Sequence, residues 1–187
     1  MLRALLSDQI DKLERAWNYD ADYARLMNKV NPIALAKFLI GTQSVPRKDA
    51  PAAALAAAGI VGTLSEDCGP CTQISVDMAA ARGVPGGVLC AILAGDETAM
   101  GESAALGYRF ARATLERRLE ETNVLRDEVV RRWGEKGLVG LALALTTARM
   151  YPTLKYALGY GKVCSRVVVA GEPTPFRAPL NEAANAQ

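Results

Sequence analysis

Apolar residues open the chain at helical spacing, with Leu2, Leu6, Ile10, Leu13 and Trp17 on one stripe and charges between them. That pattern predicts an amphipathic helix over residues 2 to 18 with a single buried face. Asn31-Pro32 opens a second clear helix, because proline is accepted in a first turn, and Ile33 to Val45 is apolar enough to be largely buried before Pro46 ends it. Arg47-Lys48-Asp49 then reads as a charged connecting loop. Pro51 to Ala58 is nearly all alanine, a strong helix former whose small side chain lets neighbouring backbones approach. Gly59 and Gly62 interrupt this pattern, and Thr63 or Ser65 is expected to cap a new helix. Glu66 and Asp67 would then lie where the positive end of the helix dipole favours acids.

The new helix is expected to run through Ile74, Met78 and Ala81 to Gly83, before the turn Val84-Pro85-Gly86-Gly87. Val88 to Leu93 reads as a short buried helix and Gly95 to Thr98 as a loop. Ser103 to Glu121 and Asn123 to Trp133 carry mixed charges, with Asp127/Arg131 and Glu128/Arg132 spaced to support an exposed helix face, so this charge run is read as a solvated surface. Gly137 to Tyr151 reads as a core helix, and Pro152 is expected to impose a turn or kink before Leu154 to Tyr160. Val163 and Val167 to Val169 suit a short extended piece, with a loose or interface-bound tail from Gly171 onward.

Composition narrows the class. A length of 187 residues suits one domain with a real core, and a hydrophobic share of 50% rich in alanine, with aromatics at only 6%, favours an all-α protein. Twenty-two basic against twenty acidic residues give a net charge of +2, unlike the concentrated basic face of a nucleic-acid binder. No signal-peptide-like apolar run follows Met1, which points to the cytoplasm. The most apolar stretch, Gly137 to Ala148, falls short of the roughly 18 residues that a spanning helix needs, so no membrane segment is expected.

The four cysteines, at 68, 71, 90 and 164, are read as catalytic or inert thiols rather than a disulfide framework. Histidine is absent, which excludes a Ser-His-Asp triad, a histidine zinc site and a histidine pH switch. Any proton relay must use carboxylate, lysine, tyrosine, hydroxyl or water.

Chemistry concentrates in Ser65-Glu66-Asp67-Cys68-Gly69-Pro70-Cys71-Thr72-Gln73. Two thiols separated by two residues at a helix start can close a disulfide, and unpaired backbone N–H groups there favour a thiolate. Nearby carboxylates act the other way, so charge alone does not fix which cysteine attacks. Glu66 is either a proton acceptor or an acid stabilising the helix end, and Ser75, one turn after Cys71, could pass a proton or hold a water. Cys90 reads as a buried inert thiol and Cys164 as an exposed one. A zinc site from all four is disfavoured because a second close pair is missing, and neither a metal nor a cofactor is expected. Arg82, Arg109 and Tyr108 could hold an anionic substrate, although salt-bridged or packed side chains explain them better.

Cys68-Gly69-Pro70-Cys71 matches the thioredoxin motif letter for letter, but no apolar strand and tryptophan precede it and helical pattern follows, so that fold is rejected. From about Leu55 to Glu116 the chain instead resembles the carboxymuconolactone decarboxylase family, in particular its alkylhydroperoxidase AhpD-like branch. The resemblance is carried by the Glu66-to-Cys71 start, the helix Thr72 to Arg82, the Gly83-Val84-Pro85 turn, the helix Val88 to Gly95 and the long helix after Glu102. It implies an all-α AhpD-like core over residues 51–160, an N-terminal helical extension over 1–50 and a C-terminal tail over 161–187. It further implies a homo-oligomer, trimeric or hexameric, with sites near subunit contacts. In that family's manner Cys71 would meet a hydroperoxide, and Cys68, nearer an exposed turn, would resolve the product and exchange with a dithiol reductant. The family's histidine four residues after the second cysteine is Ser75 here, and a second acidic relay position is Ala56. The family relay therefore does not carry over intact. A non-catalytic scaffold or redox sensor, and a lactone decarboxylase weakened by the missing histidine, are the alternatives.

Overall fold

A computed structural model describes residues 1–43, 48–162 and 166–176; Val45, Pro46, Arg47, Val163, Cys164 and the tail from 177 onward, on which parts of the reading above fall, lie outside the described residues. Among the described residues the chain is all-α apart from one small hairpin. Its helices are α1 (Leu2–Trp17), α2 (Asp22–Val30), α3 (Pro32–Gln43), α4 (Ala52–Ser65), α5 (Gly69–Ala81), α6 (Gly86–Ala94), α7 (Glu102–Leu115) and α8 (Leu119–Ala157). Strands β1 (Val167–Val169) and β2 (Glu172–Thr174) follow. No helix among the described residues is long and apolar enough to cross a membrane.

Helices α1 to α3 gather their own apolar cluster from Leu6, Ile10, Tyr19, Tyr23 and Leu35, against which Ile74 and Tyr151 pack. The stripe on α1 behaves as its periodicity predicts, burying Leu6 and Ile10. The helix stops at Asn18, whose left-handed backbone (φ 46°) is one that asparagine tolerates. Helix α2 has no counterpart in the sequence reading; it buries Tyr23, Ala24 and Asn28, while Arg25 reaches back to Asp11 and Glu14 on α1. Asn31 caps α3, its Oδ1 accepting the Ala34 N–H at 3.0 Å.

Helix α4 is the centre of the main core and packs on α5, α7 and α8. The break expected at Gly59 and Gly62 does not occur: α4 runs unbroken through both. Gly62 serves close packing instead, since a Cβ there would lie 3.0 Å from the Leu145 carbonyl oxygen of α8. Gly107 on α7 does the same more severely, its would-be Cβ lying 2.4 Å from the Ala54 carbonyl oxygen. The alanine run thus sets how near the helices come.

Three further expectations are corrected. Ser103 to Glu121 is not one helix, because the chain turns at Arg117 (φ 57°) between α7 and α8. The interruption of the last long helix falls at Gly134 (φ 70°, ψ 178°), not at Pro152. Glycine enters that region without a Cβ penalty, whereas the buried Pro152 forfeits one hydrogen bond and the helix continues to Ala157. Beyond it, Ala170 (φ 52°) and Gly171 (φ 87°) make the tight turn that joins β1 to β2, so Glu172–Thr174 is paired strand rather than loose tail. Gln73 of α5 docks the hairpin: its amide accepts the Val168 N–H at 2.7 Å and donates to the Val168 carbonyl at 2.9 Å.

Candidate functional site

Cys68 is the N-cap of α5, in extended backbone, and its carbonyl accepts from the Thr72 N–H at 2.9 Å and the Thr72 hydroxyl at 3.0 Å. Pro70 follows in the first turn, where its missing N–H costs nothing. The expected caps do not act as such. Thr63 and Ser65 turn their hydroxyls back onto α4, to the Ile60 carbonyl at 3.0 Å and the Gly62 carbonyl at 2.8 Å. Glu66 and Asp67 consequently lie in the turn before α5 rather than in its first turn, with Asp67 at φ 48°. This turn is clamped from the far end of the chain: the Tyr156 hydroxyl donates to the Asp67 carbonyl at 2.9 Å, and the Gly69 N–H donates to the Lys162 carbonyl at 3.2 Å.

That clamp holds Cys68 and Cys71 as a disulfide pair with Cα atoms 5.3 Å apart, inside the usual range for the bond. Cys68 is fully buried and Cys71 only 2% exposed, so Cys68 does not occupy an exposed turn as expected. Access is to Cys71 instead. Cys71 and Ser75 line a cavity of about 500 Å³ at the seam between the two apolar clusters. Ile10, Trp17, Leu39, Ile60 and Ile74 give the cavity its apolar wall. Ser75 donates its hydroxyl to the Cys71 carbonyl at 2.9 Å, leaving its oxygen lone pairs as the group it can offer.

Glu66 is engaged elsewhere. Arg149 donates Nε to Glu66 Oε1 at 2.6 Å and a second nitrogen to the same oxygen, while the Thr153 hydroxyl donates to Oε2 at 3.3 Å. Glu66 does not line the Cys71 cavity, and Arg149 and Thr153 border a separate cleft with Phe38 and Met150. The structure therefore brings together Cys68, Cys71 and Ser75, with Glu66 attached to α8 beside them.

Other groups reach the cavity. Tyr19, Tyr23 and Tyr151 line it. Tyr151 shares a 2.6 Å hydrogen bond with the Thr42 hydroxyl and meets the Phe38 ring edge-on at 4.9 Å. Behind Tyr19 sits Lys155, a lysine only 2% exposed, whose ammonium donates to the Tyr19 hydroxyl at 3.3 Å and lies 4.7 Å from the Tyr19 ring centre and 5.4 Å from that of Tyr23. Burial pushes the Lys155 amine below the usual lysine range and the Tyr19 phenol up to about 12. Tyr151 is likewise raised by burial. The available sequence signal was slight: Lys155 is the single charge in Tyr151 to Leu158 and sits four residues after Tyr151, while Tyr19 and Tyr23 share the same spacing.

The anion-binding trio is not assembled. Arg82 lines the cavity, but Tyr108 is buried in the main core under Arg112, and Arg109 faces Glu97 at 3.7 Å. Cys90 is half-buried rather than enclosed, with its sulfur 3.9 Å from the Thr174 hydroxyl, and Cys164 lies outside the described residues. Among the described residues no three potential ligands of the His, Cys, Asp or Glu type converge. Comparison of the chain with protein-family models, with curated proteins and with solved structures finds no match.

Proposed function

We propose that the protein is a thiol–disulfide oxidoreductase that reduces a hydroperoxide through Cys71 and Cys68, in the manner of an AhpD-like, homo-oligomeric, cytoplasmic member of the carboxymuconolactone decarboxylase family. The single observation that carries the proposal is the thiol pair at the start of α5, of which one member, Cys71, lines a largely apolar cavity. A largely apolar cavity of this size admits a small organic molecule, which supports a peroxide over a protein disulfide as the oxidant.

In the proposed cycle the Cys71 thiolate attacks a peroxide oxygen, the O–O bond breaks, the alcohol leaves, and Cys71 becomes a sulfenic acid. Cys68 then attacks Cys71 sulfur, the S–O bond breaks, water leaves and the disulfide closes. A dithiol returns two electrons. The start of α5 favours both thiolates, and Ser75 or a cavity water carries protons at Cys71, while Glu66, held by Arg149, shapes the turn. Mixing the reduced protein with cumene hydroperoxide and dithiothreitol tests the cycle. Cys71→Ser is expected to drop peroxide consumption to the uncatalysed level; a Cys71→Ser protein as active as the parent would sink the proposal.

One observation favours a second reading as a redox sensor. The Asp67 carbonyl and Gly69 N–H on either side of Cys68 are bonded to Tyr156 and Lys162, a link through which closing or opening the pair would reach the end of α8. A change in protease cleavage near residues 156–162 on reduction, without peroxide turnover, would select it.

A further inference from the structure

One face of α5 lines the cavity from the first turn of the helix to its C-cap. Cys71, Ile74, Ser75, Met78, Ala79 and Arg82 recur at the spacing of a single helical stripe, and all of them line it. Cys71, at the start of the stripe, is 2% exposed, whereas Arg82, at its end, is open to solvent. At a rise of about 1.5 Å per residue the two backbone positions lie about 16 Å apart along the helix axis. The rest of the lining repeats the gradient: Ile10 and Ile60 are buried, while Gln9, Lys12 and Gln43 are exposed. The cavity thus has an apolar floor, to which Cys71 belongs, and a polar rim.

Its charge has one sign. Among the described residues that line it, Lys12 and Arg82 carry the charges, and no aspartate or glutamate is present. Lys12 is paired with Asp8 at 2.7 Å, but the two side chains are 60% and 51% exposed, and a pair so open to water is worth little and gives way readily to another carboxylate. The carbonyl end of α5 repels an anion, so the attraction for one comes from these two side chains. A volume of about 500 Å³ is that of a small-molecule site. The ligand that matches both zones has a long apolar body and a single anionic head.

We propose that the cavity is a binding site for a long-chain fatty acid, its carboxylate held at the rim by Arg82 and Lys12 and its chain laid along α5 toward Cys71. As a statement about substrate, the proposal rests on the thiol–disulfide reading above: the peroxide is then that of an unsaturated fatty acid, carried in mid-chain, and the hydroxy acid is the alcohol that leaves when the O–O bond breaks. Binding of the fatty acid itself does not depend on that reading.

The test uses the full chain with its cysteines reduced. Laurate, dodecanol and dodecyltrimethylammonium share one chain length and differ in head charge; their binding is followed by titration calorimetry, and iodoacetamide alkylation at Cys71 is timed with each present. Laurate is expected to bind about tenfold more tightly than dodecanol, the worth of one contact to a charged group, and to slow the alkylation. Arg82→Gln combined with Lys12→Gln, both at exposed positions, is expected to erase that preference and leave dodecanol binding unchanged. Equal affinity for the three probes, or laurate that binds without slowing alkylation, overturns the proposal. In turnover, linoleic acid hydroperoxide is expected to show a lower KM than cumene hydroperoxide, and the double variant to raise that KM with kcat unchanged. A protein that binds laurate as expected but consumes neither peroxide loses the peroxidase reading and keeps the fatty acid site. One that consumes cumene hydroperoxide and binds no laurate keeps the peroxidase reading and loses the site.

Discussion

Lys155 is where the chain departs furthest from ordinary residue economy, a cation enclosed by phenol rings and nearly sealed from water. Its folded-state pKa lies below the unfolded value because burial disfavours the charged form. The sign of the linkage follows: between the folded and unfolded values the unfolded chain binds the extra proton, so this group's contribution to stability grows as pH rises toward about 10.4. The buried phenols Tyr19 and Tyr23 act oppositely at high pH, because their raised values let the unfolded chain lose protons first. Lys155→Met isolates the amine. Urea unfolding at neutral and alkaline pH is expected to show wild-type stability rising relative to this variant as pH increases; a constant difference across the range would mean that the amine is not held below its usual range. The cysteines themselves were legible by eye, as was Ser75 one turn later. The Tyr19–Lys155 contact was not, because it joins residues 136 apart and no local pattern encodes a meeting of that kind.

At the scale of elements, periodic helices were readable and their glycines were not. Residues 2 to 17, the alanine run and the helix after the cysteines follow from spacing and composition, although none of the three carries a side-chain cap. A glycine inside a helix has two meanings that sequence does not separate, a stop or a close approach, and the choice depends on what lies opposite. Gly59 and Gly107 make the contrast testable. A Cβ at Gly59 meets nothing within 4 Å, so Gly59→Ala is expected to stabilise α4 by about 0.5 to 1 kcal/mol through helix propensity. At Gly107 the Cβ would be driven into the Ala54 backbone, and Gly107→Ala is expected to cost about 1 to 3 kcal/mol as α7 and α4 part. Urea midpoints moving the same way in both variants would contradict the packing described. Proline misled for a related reason: Pro152 looks like the breaker, yet Gly134 is the residue with the left-handed backbone. The Glu66 position is an element effect as well, since the unbroken α4 delivers it to Arg149 on α8 rather than to the first turn of α5.

At the scale of the whole molecule, two apolar clusters meet imperfectly, and the cavity is the gap between them. Cys71 comes from the main body, Tyr19 from the turn after α1, Tyr23 from α2 and Tyr151 from α8, so the site exists only once α1 to α3 have docked. That assembly explains why composition could announce an all-α protein with a redox-capable thiol pair while leaving the pocket around it unread. It also makes the central claim one about the intact chain: peroxide reaches Cys71 through the seam and Cys68 resolves the product. The most direct measurement exposes the reduced protein to one equivalent of cumene hydroperoxide, alkylates every remaining thiol and maps the peptides by mass. Cys68 and Cys71 are expected to disappear together into one disulfide-linked peptide while Cys90 remains alkylated. A pair that is still fully alkylated after peroxide, or a Cys71 overoxidised with Cys68 left free, would contradict the claim.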